Sequence, residues 1–185
     1  MKKILLTSLV ALGVAGTANA GVYVAGYLST YNDSKAVVAG FDMDNEVSFF
    51  DNLNLDFTVG YAFGNGIRVE ADVMSVALYE KDYDFADTFG ISIGVNAVKG
   101  LYDFGTWSNF TPYVGAGLTD LDYMSFNDEF AFNVVGVVGV SYAITENVSV
   151  DLQYNRTFGY NSNGEGIDAS YNGVNVIKLG GMYKF

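Results

Sequence analysis

The chain has 185 residues, 9 of them basic and 21 acidic, for a formal charge of −12, and it contains neither cysteine nor histidine. Those two absences exclude disulfides, Cys/His zinc sites and histidine-dependent catalytic triads. So acidic a chain also lacks the basic patch that nucleic-acid binding requires.

Residues 1–20, MKKILLTSLVALGVAGTANA, read as a signal peptide: Lys2 and Lys3, an apolar run from Ile4 to Val14, and an A-x-A ending at Ala18–Ala20. Cleavage between Ala20 and Gly21 is expected. It leaves seven basic residues against 21 acidic ones, so the formal charge falls from −12 to −14. The apolar run is too short to span a bilayer as a helix.

From Gly21 onward the recurring pattern is alternation, the period of a strand. Eight segments carry it, near 22–31, 51–63, 66–80, 88–99, 110–123, 130–143, 147–160 and 173–185. Residues Asn52–Tyr61 set Leu53, Leu55, Phe57, Val59 and Tyr61 against Asn, Asp, Thr and Gly. Residues Val148–Asn155 set Val148, Val150, Leu152 and Tyr154 against Ser149, Asp151, Gln153 and Asn155. Each segment has about ten residues or slightly more, the length a tilted strand needs to cross a membrane. Phe63–Gly66 and Ile144–Asn147 read as tight turns, Asn-Gly being a strong hairpin signal. Stretches 32–50 and 161–172 read as longer polar connections. The period is expected to slip in VKGLYDF, residues 98–104, with a bulge at Gly100. Asp120 and Asp122 fall on the apolar parity of their segment, so that strand is expected to run past the membrane.

A soluble sandwich alternates too, but export, the eight-segment parse and the aromatic enrichment near strand ends favour a barrel with its apolar face toward lipid. The interior then receives Asp56, the trio Arg68, Glu70 and Asp72, the trio Asp151, Gln153 and Asn155, and Lys178 and Lys184. Lys178 is expected to approach Asp151, and Arg68 to reach acids on adjacent strands, because a buried charge without a partner costs several kcal/mol. This set reads as a polar network that fills and closes the lumen, an eight-strand barrel being just wide enough for side chains to fill. A gated ion path is the alternative.

The segments YAFGNGIRVE (61–70), LYDFGTWSNFTPYVGAGL (101–118) and GVSYAITENVSVDLQYNRTF (139–158), with the aromatic C-terminal strand, resemble the bacterial outer-membrane β-barrel family, including opacity-type and surface-antigen proteins and the barrel of outer membrane protein A. The resemblance covers 21–185 and is most specific in the run Thr111–Gly117. It implies an eight-stranded monomeric barrel in the outer membrane of a Gram-negative-type bacterium, surrounded by phospholipid and lipopolysaccharide and inserted by the barrel-assembly machinery. It also implies that Tyr183 and Phe185, in the last strand, are the assembly signal. It carries no catalytic residues and no cofactor.

Other motifs read as ordinary structure. Gly90–Gly94 matches the G-x-S-x-G nucleophile elbow, but its serine lies in an alternating strand and there is no histidine base. Asn161–Gly166 begins like a calcium loop, yet position twelve is Asn172 rather than a bidentate glutamate. Phe41 and Tyr83, near loop centres, are the aromatic candidates for adhesion. The expectation is therefore an all-β, eight-stranded antiparallel up-and-down transmembrane barrel over 21–185, not an enzyme. Its role is structural display, with loops of surface-antigen or adhesin type that can bind a host or surface protein. The alternative is a small cation-favouring pore.

Overall fold

The computed structural model describes residues 20–33, 36–38, 41–43, 52–80, 91–119, 133–158, 160–164, 167–171 and 173–185. Twelve strands are formed: β1 (Gly21–Asp33), β2 (Ala36–Val38), β3 (Phe41–Met43), β4 (Asn52–Ala62), β5 (Ile67–Glu80), β6 (Ile91–Asp103), β7 (Phe110–Thr119), β8 (Asn133–Ala143), β9 (Val148–Thr157), β10 (Tyr160–Gly164), β11 (Ile167–Tyr171) and β12 (Val174–Lys184). Eight of them close an antiparallel barrel in the order β1-β12-β9-β8-β7-β6-β5-β4. The other four make a separate sheet in the order β10-β11-β2-β3. The stretches read from sequence as plain connections thus contain paired strands.

Closure follows from the ends of the chain. β12 pairs with β1 from Tyr23↔Lys184 to Asp33↔Val174, and with β9 on its other side. Phe185 donates its backbone N–H to Val22 at 3.0 Å. Asn147, in the tight β8–β9 turn, donates its side-chain amide to the Lys184 carbonyl at 2.8 Å and accepts the Lys184 N–H on its own carbonyl. No barrel edge is left to pair with another chain. The turn at 63–66 is tight because Gly64 and Gly66 take φ of 73° and 88°, a region that strains residues with a Cβ.

The faces are inverted relative to a soluble protein. Outward positions carry Val24, Leu28, Val59, Val98, Val114, Val138, Leu152, Ile177 and Leu179, all exposed. Buried positions carry more polar than apolar side chains among the described residues, 13 against 8. Aromatic pairs gather at the end with the short turns: Tyr61–Phe63, Tyr102–Phe104, Phe110–Tyr142 and Tyr183–Phe185, with ring centroids 4.8 to 5.5 Å apart. Trp107, exposed in the β6–β7 turn, lies at the same end. That is the interfacial girdle of a membrane barrel.

The phase slip lies elsewhere than at Gly100. Lys99 and Leu101 are buried while Val98 and Tyr102 are exposed, so VKGLYDF keeps its alternation. The outward parity changes between Val95 and Val98, beside the β5–β6 register shift that pairs Asp72 with Ala97 and Met74 with Ile93. β5 also skips Val73 and Leu78 against β4. Such extra residues bend the wall and raise its twist. Leu101 misleads the sequence reading because it is an apolar residue that points inward, where it packs with Tyr113, Val135 and Val137. Asp120 and Asp122 lie outside the described residues.

Candidate functional site: the lumen

The inward parities of β4, β5, β6 and β12 bring seven ionic groups into one file. Arg68 Nη2 lies 2.9 Å from Asp103, and Arg68 Nη1 lies 3.4 Å from Glu70. Lys99 Nζ stands 3.3 Å from Glu70 and 3.0 Å from Asp72. Lys178 Nζ stands 3.1 Å from Asp72 and 3.0 Å from Asp56. Read from the turn end, the sequence is Asp103, Arg68, Glu70, Lys99, Asp72, Lys178, Asp56, with the sign alternating at each step. Every cation therefore sits between two carboxylates, the arrangement that offsets the desolvation of each buried charge.

Hydroxyl groups add a hydrogen bond to one oxygen of each of three of these carboxylates. Thr58 donates to Asp72 at 2.6 Å, Ser75 to Asp56 at 2.7 Å, and Tyr23 to Glu70 at 2.8 Å. The Arg68 guanidinium lies between two rings, 4.5 Å from the Tyr113 centroid and 5.8 Å from that of Tyr23. Cation–π contact is strongest where water is excluded, as it is here.

Asp151 is not the partner of Lys178. Lys178 turns toward β4 and β5. Asp151, fully buried on β9, instead accepts hydrogen bonds from Tyr113 at 2.7 Å, Tyr27 at 3.2 Å and Ser141. Three hydroxyls from β7, β1 and β8 satisfy this carboxylate, so it needs no adjacent cation. Gln153 bridges the two halves, donating to the Tyr113 hydroxyl at 3.2 Å and accepting from Lys99 at 3.4 Å. The network thus includes Asp56, Arg68, Glu70, Asp72, Asp151, Gln153 and Lys178. Asn155 lies above it, and Lys184 is at the turn end, half-buried.

The sequence reading missed Lys99, Tyr23, Tyr27, Tyr113 and Asp103. Parity was the available signal: Tyr23, Ala25, Tyr27 and Ser29 alternate with Val22, Val24, Gly26 and Leu28, and both sets are visible in GVYVAGYLS. Glycines on neighbouring strands make room for the rings. A Cβ on Gly60 would stand 2.2 Å from Tyr23, and one on Gly139 2.3 Å from Tyr113. These glycines are cradles for inward aromatics, a role their side-chain count does not announce.

Above the file, at the end carrying the long connections, a cavity of about 510 Å³ is floored by Lys178, Lys99, Asp56 and Asp72 and walled by Asn54, Asn96, Asn155 and Thr157. Below it the lumen is packed with side chains. Ser92, the serine of the G-x-S-x-G match, lies within β6 and its hydroxyl contacts Asn96 at 3.3 Å. It is not at a strand-to-helix turn. Among the described residues no cluster of carboxylates is arranged to hold a metal ion. Tyr83 and Asn172 lie outside the described residues.

The sequence model of the family described as "Outer membrane protein beta-barrel domain" matches residues 4–185. Among solved structures, Neisserial surface protein A is similar over 90% of this chain and 99% of its own, with 23% identity and a TM-score of 0.57. The N-terminal β-barrel domain of Pseudomonas aeruginosa OprF is similar over 90% of this chain and 98% of its own, with 17% identity and a TM-score of 0.52. At these identities the likeness is one of fold. No curated protein matches the chain.

Proposed function

Because the chain belongs to the outer membrane protein beta-barrel domain family, we propose that it is a sealed outer-membrane barrel that displays folded polypeptide at the cell surface, as a surface antigen or adhesin does. The observation that carries this reading is the second sheet. The two connections β1–β4 and β9–β12 meet as β10-β11-β2-β3 at one end of the barrel, with pairs such as Ser170↔Val37. The packed lumen supports the structural side of the reading. In this account residues 1–20 are removed at Ala20–Gly21 after export. Tyr183 and Phe185 are presented to the barrel-assembly machinery, and the mature chain works as a monomer among phospholipid and lipopolysaccharide. The short turns face the periplasm and the second sheet faces outward. Protease added to intact cells tests it: cleavage is expected within 34–51 or 158–173, with the barrel protected. Cleavage only after the outer membrane is permeabilised contradicts the display reading.

A specific observation favours a second reading, a small cation-favouring pore. The lumen network holds five acids, Asp56, Glu70, Asp72, Asp103 and Asp151, against three bases, and a cavity already opens above it. Conductance across a bilayer separates the two.

A further inference from the structure

The cavity above the file is where hydrogen bonding in the lumen is left incomplete. Asn155 lines it and is only 5% exposed, yet its Oδ1 has no hydrogen-bond partner among the described residues. The register explains why. Its neighbours on β12 and β8 are Val176 and Val137, which offer no side-chain donor. Gln153, the previous inward residue on β9, directs its amide N–H to Tyr113 at 3.2 Å. A buried acceptor without a donor is destabilising, so the empty position calls for one.

The floor of the cavity has the same bias. An ammonium carries three donors, whereas a carboxylate has about four acceptor sites. Lys99 Nζ uses all three of its donors, toward Glu70, Asp72 and Gln153. Among the described residues Asp56 receives Ser75 at 2.7 Å and Lys178 at 3.0 Å, which leaves about half of its acceptor sites open. Whatever enters must therefore donate. The network's five acids and three bases give a formal charge of −2, which selects a cation over a neutral donor.

Asp56 and Asn155 are separate points on the wall. The paired row through Asp56 runs to Tyr27, Gly180 and Asp151, so it meets β9 four residues before Asn155. The stagger of the barrel tilts such rows: Lys178 reaches Asp56 although it lies two residues off that row on β12. Carried one strand further, the same stagger brings Asn155 toward the level of Asp56 on the other side of the lumen. Met74, Val174 and Val176 line the same cavity and give it an apolar surface. Its volume of about 510 Å³ is that of a small-molecule site and exceeds what a bare metal ion needs.

We infer that the upper lumen is a binding site for a short aliphatic diamine in its doubly protonated form. One ammonium donates to Asp56, the other to Asn155 Oδ1, and the methylenes lie against Val174 and Val176. The two positive charges balance the formal −2 of the network. This solute site is additional to the display role, and it opens at the end that carries the long connections.

Isothermal titration calorimetry of the purified protein in detergent tests it, with putrescine, butylamine and the uncharged diol of the same chain length as probes. Detergent removes membrane orientation from the experiment, and the intact-cell protease assay reports on display separately. The wild type is expected to bind one putrescine per chain, to bind butylamine about tenfold more weakly, and to give no saturable heat with the diol. Asn155→Leu keeps the side-chain size but removes the acceptor. It should weaken putrescine about tenfold and leave butylamine unchanged, because the single ammonium stays at Asp56. Asp56→Asn should weaken both amines by about tenfold or more.

Absence of saturable putrescine binding by the wild type at millimolar concentration overturns the inference. Equal binding of the diol does so too, since the cavity would then be a polyol site. A stoichiometry well above one per chain also overturns it, because the amine would be scattered over the acidic surface. So does wild-type putrescine affinity in either variant. Heat-dependent gel mobility confirms that each variant is folded, and if one fails to fold the other decides.

Discussion

Replacing Lys178 with methionine removes one charge from the centre of the file and leaves most of the side-chain volume in place. Lys178 Nζ serves two carboxylates, Asp56 at 3.0 Å and Asp72 at 3.1 Å, and the side chain is almost wholly buried. Breaking a buried pair by removing one partner typically costs about 3–5 kcal/mol. Here both acids keep other donors: Asp56 keeps Ser75 at 2.7 Å, and Asp72 keeps Thr58 at 2.6 Å and Lys99 at 3.0 Å. The cost should therefore lie at the lower end, about 3 kcal/mol. Neutralising the acid left worse off should recover part of it. Lys178→Met combined with Asp56→Asn is expected to be about 1–2 kcal/mol more stable than the sum of the two single variants. Urea unfolding in detergent micelles measures both values, with Trp107, the single tryptophan, as the fluorescent probe. A loss below about 0.5 kcal/mol in Lys178→Met, or strict additivity in the double variant, refutes the claim that the file works as one coupled network.

Three further outcomes follow from the same geometry. Leu179→Arg on the outward face of β12 should cost about 2–4 kcal/mol if that face meets lipid near mid-bilayer, whereas an exposed leucine in water would tolerate the change within about 0.5 kcal/mol; urea titration in lipid vesicles decides. Gly139→Ala should destabilise by about 1–3 kcal/mol, because the new methyl meets Tyr113 at 2.3 Å and the Leu152 carbonyl at 2.7 Å, and the same titration reads it. Deleting Phe185 should lower the amount of folded barrel in the outer membrane more than it lowers the unfolding midpoint of the recovered protein, which loses one closing hydrogen bond and one ring contact. Normal outer-membrane levels argue against its role as an assembly signal.

The strands were legible in the sequence because a membrane barrel has two solvents of opposite character, lipid outside and a polar packed lumen inside, so each wall residue declares its side. Asn52–Tyr61 and Val148–Asn155 follow that rule without exception. The rule weakens where an inward residue is apolar. Leu101 is such a case: read as lipid-facing, it shifts the apparent phase and hides Lys99 two residues earlier. Pairing across the lumen was less legible than strand position. Lys178 and Asp151 are both inward, but which acid meets which base depends on stagger and on the bulges that skip Val73 and Leu78. Those displacements exceed the reach of a single ion pair. The hydroxyl cage of Asp151 draws Tyr27, Tyr113 and Ser141 from three separate strands, which only the closed ring brings together. The pairing of Ala36–Val38 with Ala169–Tyr171 was hidden for a related reason. Those segments lie more than a hundred residues apart, and the barrel must close before they meet.

In the proposed closed state, the alternating file from Asp103 to Asp56 and the caged Asp151 together seal the lumen. Planar-bilayer conductance of the purified protein tests the seal, and a silent membrane is expected at neutral pH for the wild type. Steady ohmic openings whose ion selectivity changes when Arg68 or Lys178 is replaced would contradict it and establish the pore.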